Sequence, residues 1–427
     1  MSEHYAVAII GGGQAGLSMS YLLASRGIEH VVFERERIAH AWRADRWDSF
    51  CLVTPNWQCT LPNFPYRGDD PDGFMKKGEI VAYIEAFAAS FAAPLREGVA
   101  VSRLGRSDDG RAFVLETSAG RITAGQVVVA VGGYHATTLP RMAERVPRDI
   151  VAVHSSAYKS AQALPDGDVL VVGTGQSGAQ IAEDLHLAGR RVHLAVGSAP
   201  RTARFYRGRD VVAWLDAMGY YNMPVHEHPL KERVRAKANH YVTGRDGGRD
   251  IDLRKFALEG MSLYGRLIDV DGPHLHFKDD LKANLDNADA VSESIKTTID
   301  SYISKSGIDA PHEARYVPVW EPSTFQPSLD MRAANITSIV WCMGYHADYA
   351  WIDVPIFDGR GYPSHDRGVT TEPGLFFLGL PWQYTWGSGR FSGVARDAAY
   401  LADAIDARHA ITHHSNGNVL NELALGS

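Results

Sequence analysis

The segment Ala6-Val7-Ala8-Ile9-Ile10-Gly11-Gly12-Gly13-Gln14-Ala15-Gly16 decides the fold of this 427-residue chain. Its apolar run predicts a buried strand, and the glycines that follow match G-x-G-x-x-G at the start of a helix predicted over 15–26. In this pattern the first glycine permits a tight turn and the second lets a pyrophosphate approach the backbone. The third glycine lets the helix pack closely on the strand. The segment therefore predicts a dinucleotide-binding unit.

The same pattern occurs a second time further along the chain. Val169-Leu170-Val171-Val172 predicts a buried strand, and Gly173-Thr174-Gly175-Gln176-Ser177-Gly178 follows it at the start of another predicted helix. A single G-x-G-x-x-G is weak evidence, but two copies in a strand–turn–helix context predict two bound dinucleotides. Two dinucleotides in one chain favour electron transfer between them.

The two units differ where their second strands end. Glu34 closes the first one, near the ~20-residue spacing of an acid that binds ribose hydroxyls. The second strand ends at Gly197 and Ser198 without an acid, and Arg201 and Arg204 follow. A carboxylate repels a 2′-phosphate and arginines attract one, so the sequence predicts FAD in the first unit and NADPH in the second. The alternatives are a solvated glutamate and a solvated run of charges.

Apolar strands return after residue 336, and a helix is predicted over 393–405. The predicted fold is α/β with two Rossmann-like domains, the NADPH-binding domain being inserted into the FAD-binding domain. We expect residues 1–155 and 325–427 to form the FAD-binding domain. Residues 156–324 form the NADPH-binding domain, with a helical insertion at about 205–312. The spacing of apolar residues over 281–304 predicts a helix whose role stays open between a lid, an oligomer contact and a surface helix.

Composition excludes several classes of function. With 43 basic and 50 acidic residues the net charge is −7, which disfavours nucleic acid as a partner. Three cysteines without a C-x-x-C pair argue against a redox-active dithiol and favour a reducing compartment. We expect a cytoplasmic chain with no signal peptide and no membrane helix. The pairs His226/His228 and His413/His414 lack a carboxylate-rich frame, so no metal site is expected.

Four segments resemble class B flavin-dependent monooxygenases, the group of flavin-containing monooxygenases, plant YUCCA enzymes, N-hydroxylating enzymes and Baeyer–Villiger enzymes. They are residues 41–49, 128–140, 341–349 and 373–398. Within the group the chain most resembles a bacterial flavin-dependent oxidoreductase family found beside nitrilase genes. The signature F-x-G-x-x-x-H with a following aromatic is kept only in its second half, as His154 and Tyr158. Arg148 and Ile150 replace the Phe and the Gly.

This resemblance implies an enzyme in which NADPH reduces FAD and the reduced flavin reacts with dioxygen. The resulting C4a-(hydro)peroxyflavin would oxygenate a small organic substrate, with nitrogen the favoured atom. An NADPH oxidase or flavin reductase that releases hydrogen peroxide is one alternative, and Baeyer–Villiger oxygenation of a carbonyl is another. A non-enzymatic flavin redox sensor and a homo-oligomeric state also stay open.

Candidate site residues follow from the motifs and the resemblance. Asn56, Gln58 and His154 are the catalytic candidates, the two amides as hydrogen-bond partners of flavin or of the bound oxygen. Aromatic side chains expected to line the substrate are Trp57, Trp382, Tyr384 and Trp386. The expected cofactor contacts are Gly11, Gly13, Gln14, Ala15, Gly16, Glu34, Trp42, Arg43, Trp47, Val101 and Gly132, with Gly389 and Gly393, for FAD, and Gly173, Gly175, Gln176, Ser177, Gly178, Ser198, Arg201 and Arg204 for NADPH.

Overall fold

The computed structural model describes the backbone of residues 3–424 and the side chains of residues 3–410. Its strands, in chain order, are β1 (Glu3–Ile10), β2 (His30–Glu34), β3 (Thr60–Leu61), β4 (Phe64–Pro65), β5 (Leu95–Glu97), β6 (Val101–Arg106), β7 (Phe113–Thr117), β8 (Gly120–Val129), β9 (Ala136–Thr137), β10 (Val151–His154), β11 (Asp168–Val172), β12 (Val192–Ala195), β13 (Phe205–Tyr206), β14 (Arg209–Asp210), β15 (Ser262–Tyr264), β16 (Leu267–Asp271), β17 (His274–Phe277), β18 (Ser328–Asp330), β19 (Ile336–Trp341), β20 (Tyr345–His346), β21 (His365–Asp366), β22 (Val369–Thr370) and β23 (Leu375–Phe377). Its α-helices are α1 (Gln14–Ser25), α2 (His40–Arg43), α3 (Lys77–Ser90), α4 (Gln176–Leu187), α5 (Val211–Ala217), α6 (Leu253–Leu258), α7 (Leu281–Ser306) and α8 (Val394–Ala424).

The first sheet carries the first glycine motif. Its strand order is β21-β22-β23-β8-β1-β2-β5, with the β6–β7 hairpin attached to β8. The centre is parallel, and Ile9 of β1 lies between Val32 of β2 and Val128 of β8. These central strands are apolar along their length because both faces are covered. Helices α1, α3 and α8 pack on one face, and the hairpin with residues 349–357 packs on the other.

The second sheet carries the second glycine motif and places the domain boundaries differently from the sequence prediction. Its order is β10-β19-β11-β12-β15, with all pairs parallel. Strands β10 and β19, assigned from sequence to the FAD-binding domain, are ladder partners within this sheet. By sheet membership the inserted domain therefore extends from about 151 to 341. Apolar strands of both sheets look alike in sequence, since only the pairing distinguishes them.

The insertion at 205–312 is not purely helical. It contains α5, α6 and α7, but β15 joins the second sheet, and β16 and β17 form a small antiparallel sheet with β18. Helix α7 occupies the predicted position and is amphipathic, with one face exposed on the surface and the other packed against the protein. Leu285 and Ala288 pack into the core of the inserted domain, and Ile299 and Ile303 pack with Trp214 of α5.

Two linkers connect the domains. The first leaves the carboxyl end of β8, and the second leaves the carboxyl end of β19. They pair with each other, because β9 and β20 form an antiparallel ladder in which Ala136 lies opposite His346. In a parallel sheet the turn after every strand lies at the carboxyl edge, which is the ligand-binding edge of such folds. The paired linkers therefore bring the two carboxyl edges together.

Candidate functional site

The first phosphate loop, residues 11–16, has the shape that a pyrophosphate requires. Gly11 has φ +109°, and a Cβ there would lie 2.7 Å from the Ala130 carbonyl oxygen. A Cβ on Gly16 would lie 1.9 Å from the Gly11 carbonyl oxygen. At Gly13 a Cβ would meet no atom within 4 Å, so the middle of the loop faces open space at the N-terminus of α1. A phosphate fits this space, next to the positive end of the helix dipole.

The second phosphate loop, residues 173–178, repeats this construction. Gly173 has φ +98°, and its Cβ would lie 2.9 Å from the Cys342 carbonyl oxygen. A Cβ on Gly178 would lie 1.9 Å from the Gly173 carbonyl oxygen, whereas one on Gly175 would meet nothing within 4 Å. Each loop also packs against the first residues of a linker, Ala130 in the first domain and Cys342 in the second. Both loops fit a dinucleotide, and they lie at the two edges that the linkers join.

The strand ends beside the two loops differ, as the sequence predicted. Glu34 Oε2 accepts a hydrogen bond from the Gly12 N–H at 2.8 Å, so the carboxylate lies beside the first phosphate loop. In the second domain Thr174, the counterpart of Gly12, accepts from the Gly197 N–H through its hydroxyl at 3.0 Å. The described residues include no acid at the matching point of the second site. Ser198, next to Gly197, is exposed.

Arg201 and Arg204 do not form the phosphate clamp expected from sequence. Arg201 is buried, with its Nε 2.5 Å from Asp289 Oδ1 and its guanidinium 4.2 Å from the ring centre of Tyr316. Arg204 is buried too and binds both carboxylate oxygens of Asp210, at 2.5 and 2.6 Å. Both arginines neutralise carboxylates inside the inserted domain, and their sequence spacing gave no sign of these partners.

Three distant segments meet beside the first phosphate loop. Gln14, the first residue of α1, donates its side-chain amide to the Gly389 carbonyl oxygen at 3.2 Å. Its own Oε1 accepts from Trp42 Nε1 at 3.4 Å. The Trp42 ring stacks on Phe391, with 5.8 Å between centroids. The structure thus brings together Gln14, Trp42 and Gly389, as expected for residues around one flavin.

Other cofactor candidates lie close to this assembly. Ala15 approaches Gly379 at the end of β23, where a Cβ would lie 2.7 Å from the alanine Cβ. Gly393 lies against Gly387 just before α8. The Gly132 carbonyl in the first linker accepts from the Tyr349 hydroxyl at 3.1 Å. On the nicotinamide side, Ser177 lies in the first turn of α4, and Gln176 Nε2 donates to the Val242 carbonyl oxygen at 2.6 Å. Val101 begins β6.

Residues 42–66, the aromatic connection after β2, contribute less to the flavin side than the sequence predicted. Trp47 is buried in the core of the inserted domain beside Tyr158. Arg43 binds Glu85 at 2.7 Å. The Asn56 amide holds its own loop, since Nδ2 donates to the Asp70 carbonyl oxygen at 2.9 Å and Oδ1 accepts from the Met75 N–H at 2.8 Å. These side chains serve packing and loop shape.

Gln58 and His154, the other catalytic candidates, have contrasting surroundings. Gln58 is buried, and its Oε1 has no hydrogen-bond partner among the described residues. A buried acceptor of this kind is available to a ligand. Both ring nitrogens of His154 are already hydrogen-bonded within the protein. Nε2 lies 3.1 Å from the Gly344 carbonyl oxygen, and Nδ1 accepts from the Ser156 N–H at 3.2 Å. It ties the end of β10 to the second linker, and burial lowers its pKa.

The 382–390 loop is covered by the insertion. Trp382 is buried in an apolar cluster with Val225 and Val234, and Trp386 packs on Tyr221 with 4.5 Å between centroids. The Val225 N–H donates to the Tyr384 carbonyl oxygen at 2.6 Å. We call residues 220–236 the cover segment. Among the described residues no aromatic pair joins Trp57 to this loop; the ring contacts of Trp382 and Trp386 are made with the cover segment instead.

The cysteines offer no redox-active pair. Cys51, Cys59 and Cys342 are all buried and unpaired. Burial raises the pKa of the Cys51 thiol to about 11 and that of Cys59 to about 12, and it also raises the pKa of Cys342. Thiolates are therefore scarce at neutral pH. In residues 3–410 no group of three His, Cys, Asp or Glu side chains could hold a metal; His413 and His414 lie outside the described side chains. No described helix has the length and apolarity needed to cross a membrane.

Two phosphate loops at adjoining sheet edges define a two-dinucleotide oxidoreductase. Residues 8–244 match the model of the pyridine nucleotide-disulphide oxidoreductase family, and the chain belongs to that family. The CzcO-like oxidoreductase of Geobacillus kaustophilus is 32% identical over 405 residues, which cover 93% of this chain and 97% of its own length. FAD and NADPH are the cofactors that this family membership implies.

Two further relatives connect the chain to flavin monooxygenases, as the sequence resemblance predicted. Indole-3-pyruvate monooxygenase YUCCA1 of Oryza sativa is 31% identical over 190 residues, 44% of this chain and 47% of the relative. The structure of a flavin-containing monooxygenase from Stenotrophomonas maltophilia superposes with a TM-score of 0.65 at 17% identity. That match covers 95% of this chain and 99% of the other, so the two proteins share the fold.

Sequence reasoning missed several residues around the site. Asp184 of α4 accepts from the Ser49 hydroxyl at 2.5 Å, the Tyr158 hydroxyl at 2.7 Å and Arg245 at 2.8 Å. It thereby joins the aromatic connection, the segment that follows β10 and the insertion. Its partners are far apart in sequence, so no local pattern indicates them. Thr174 could have been found, because it stands inside the second motif where the first has Gly12.

Proposed function

We propose that this chain is a FAD- and NADPH-dependent monooxygenase that oxygenates a small organic substrate, with nitrogen the favoured atom. The observation that carries the proposal is the pairing of the two linkers, which joins the carboxyl edges of two sheets that each hold a phosphate loop. Two dinucleotides bound at these edges have their reactive rings directed toward one cleft, as hydride transfer requires.

The chain's own residues bind and orient the two nucleotides. The first phosphate loop and the N-terminus of α1 hold the FAD pyrophosphate, and Glu34 accepts from a ribose hydroxyl. The second loop and α4 hold NADPH, with the exposed Ser198 as a hydroxyl near its ribose. FAD, when bound, accepts hydride from the nicotinamide and passes electrons to dioxygen. Gln14, which also accepts from Trp42, positions the 382–390 loop, hereafter the flavin-side loop, through its bond to the Gly389 carbonyl.

Exclusion of water separates oxygenation from mere peroxide release. Oxygenation would require a site from which the protein excludes water, because water favours loss of the reactive oxygen as hydrogen peroxide. The cover segment closes over the 382–390 loop through an apolar cluster of Val225, Val234 and Trp382. The three buried thiols, by contrast, provide no thiol pair for disulfide reduction. These two features favour a monooxygenase over a disulfide reductase.

The test measures whether oxygen enters a product. Purified FAD-loaded protein is mixed with NADPH, oxygen and a panel of small amines, each with its thioether and ketone analogue. We expect amine-dependent NADPH consumption, a product one oxygen atom heavier, and a transient flavin band near ~380 nm after rapid mixing. Recovery of all consumed oxygen as hydrogen peroxide with every compound would establish an oxidase instead. Oxygenation of the thioether or ketone alone would overturn the preference for nitrogen.

A further inference from the structure

Arg390 lies at the junction of the flavin-side loop and the insertion. Its neighbours in sequence belong to the flavin side, since the Gly389 carbonyl accepts from Gln14 and the Phe391 ring stacks on Trp42. Its side chain extends toward the insertion, where Nη2 donates to Asn239 Oδ1 at 2.9 Å. The guanidinium therefore lies between the first phosphate loop and the segment that covers the 382–390 loop.

Arg390 forms no ion pair with a carboxylate: among the described residues, no carboxylate oxygen lies within 4.0 Å of its guanidinium nitrogens. The guanidinium lies over the Trp386 ring, 3.8 Å from the centroid, and donates to the Trp386 carbonyl oxygen. Nearby arginines are paired: Arg367 lies 3.0 Å from Asp397, and Arg235 lies 3.4 Å from Glu232.

A partly buried guanidinium without a carboxylate partner is energetically unfavourable unless a ligand supplies the negative charge. Arg390 is partly buried, and Tyr220, Tyr221 and Trp386 surround it, so it has lost part of its hydration. Burial lowers its pKa. Stacking on an aromatic ring offsets only part of that loss, and a charged group left unpaired in a protein interior is unfavourable. The guanidinium also has more N–H donors than its two hydrogen bonds use.

We propose that Arg390 binds a carboxylate on the substrate, so that the substrate class is small organic acids with an apolar or aromatic body. The planar fork of a guanidinium matches the two oxygens of a carboxylate. The apolar body would lie against Trp386, and the acid group would fix which atom faces the flavin. This inference rests on the proposed monooxygenase function and adds a substrate class to it.

Binding of two matched probes to the oxidised, FAD-loaded protein tests the inference. Phenylacetate and phenylacetamide have nearly the same size, but only the first carries a charge. Titrations followed by intrinsic tryptophan fluorescence should show tighter binding of phenylacetate, by about tenfold or more. In Arg390→Gln this preference should disappear. Arg390→Lys, which keeps the charge but loses the fork, should retain part of it.

Arg396→Gln is the matched control. Arg396 is exposed and also contacts the insertion, through Asn222 and the Tyr221 carbonyl, and it too lacks a carboxylate partner among the described residues. This variant should bind both probes as the unmodified protein does. FAD content and melting temperature, measured for each variant, show that the fold is kept.

Three results would overturn the inference. Equal binding of the two probes to the unmodified protein would show that the site does not recognise a carboxylate. An undiminished preference for phenylacetate in Arg390→Gln would show that Arg390 does not bind it. A loss of NADP⁺ affinity in Arg390→Gln as large as the loss for phenylacetate would assign Arg390 to a nucleotide phosphate. Because no turnover occurs in these titrations, their failure leaves the monooxygenase proposal standing. Absence of an oxygenated product in the turnover experiment would contradict the monooxygenase proposal without affecting the result of the titrations.

Discussion

At the scale of single residues, Gly13 and Gly175 are the most informative positions. Both precede a helix with ordinary backbone angles, φ being −82° at Gly13 and −61° at Gly175. Neither has an atom within 4 Å of the place where a Cβ would lie. A larger residue is therefore compatible with the fold, but it fills space that a phosphate needs. A Cβ on any of the other motif glycines would clash, with the Glu34 side chain at Gly12 and with backbone at Gly11, Gly16, Gly173 and Gly178.

Gly13→Val and Gly175→Val should have opposite effects on the two nucleotides. Gly13→Val should give a folded, colourless protein, because the valine occupies the pyrophosphate space of the first loop. Gly175→Val should keep FAD and lose NADP⁺ binding. Flavin absorbance per protein and calorimetric titration with NADP⁺ measure the two effects, and each variant is the control for the other. A yellow Gly13→Val protein would contradict the assignment of FAD to the first domain.

Arg201→Ala should affect stability rather than nucleotide preference. The change leaves the partly buried Asp289 with part of its charge uncompensated, which costs about 3 kcal/mol of unfolding free energy. Denaturant unfolding measures this loss, and kcat/KM for NADPH and NADH should fall by similar factors. Arg209→Ala, at an exposed arginine of the same stretch, is the control and should change little. A selective rise of KM for NADPH at unchanged stability would restore the phosphate-clamp hypothesis.

At the scale of elements, the cover segment determines how dry the site is. Val234 is buried against Trp382 in the apolar cluster that joins the insertion to the flavin-side loop. Val234→Ser should loosen this contact and raise the hydrogen peroxide released per NADPH consumed, because water then reaches the flavin. Arg233→Ser, at the exposed neighbouring position, should leave the ratio unchanged. An unchanged peroxide yield in a folded Val234→Ser protein would show that the cover segment does not exclude water.

The β21–β22 turn should make stability depend on pH through His365. Burial, followed by the positive charge of Arg235, lowers its pKa to about 4. The neutral ring is required in the fold, since Nδ1 accepts from the Gly368 N–H at 3.2 Å. The unfolded chain, with a pKa near 6.5, binds more protons between these values. The stabilisation is therefore complete above pH 6.5 and lost as the pH falls toward 4.

His365→Gln tests this dependence. Glutamine does not titrate, so the melting temperature of the variant should fall less between pH 7 and pH 5 than that of the unmodified protein. Other buried histidines, such as His154 and His193, contribute equally to both proteins. The comparison therefore isolates His365. Identical losses in the two proteins would assign the pH dependence to those other groups.

At the scale of the whole molecule, sequence predicted the parts that depend on local patterns. The two phosphate loops, Glu34 beside the first loop, and α7 all lie where the sequence pattern placed them. The predicted domain boundaries were wrong at β10 and β19, because the sequence of an apolar strand does not indicate which sheet it joins. Pairing partners are set by long-range packing, which no local window of sequence contains.

Side-chain roles were harder to predict than elements. Arg201 binds Asp289, and Asn56 binds backbone groups of its own loop. The sequence indicates neither set of partners, so both side chains were predicted to bind ligands. Conversely, Arg390 was overlooked, because its significance lies in the absence of a carboxylate among the described residues near it. Arginine and amide side chains are long or versatile enough that only the folded surroundings determine whether they bind a ligand or the protein itself.

Anaerobic mixing of the FAD-loaded protein with NADPH tests most directly whether electrons pass between two dinucleotides held in the two domains. We predict that the flavin band near ~450 nm bleaches at a rate that saturates with NADPH concentration. Gly175→Val, still yellow, should bleach far more slowly at the same concentration. A flavin that stays oxidised in the unmodified protein under saturating NADPH would contradict the joining of the two sites.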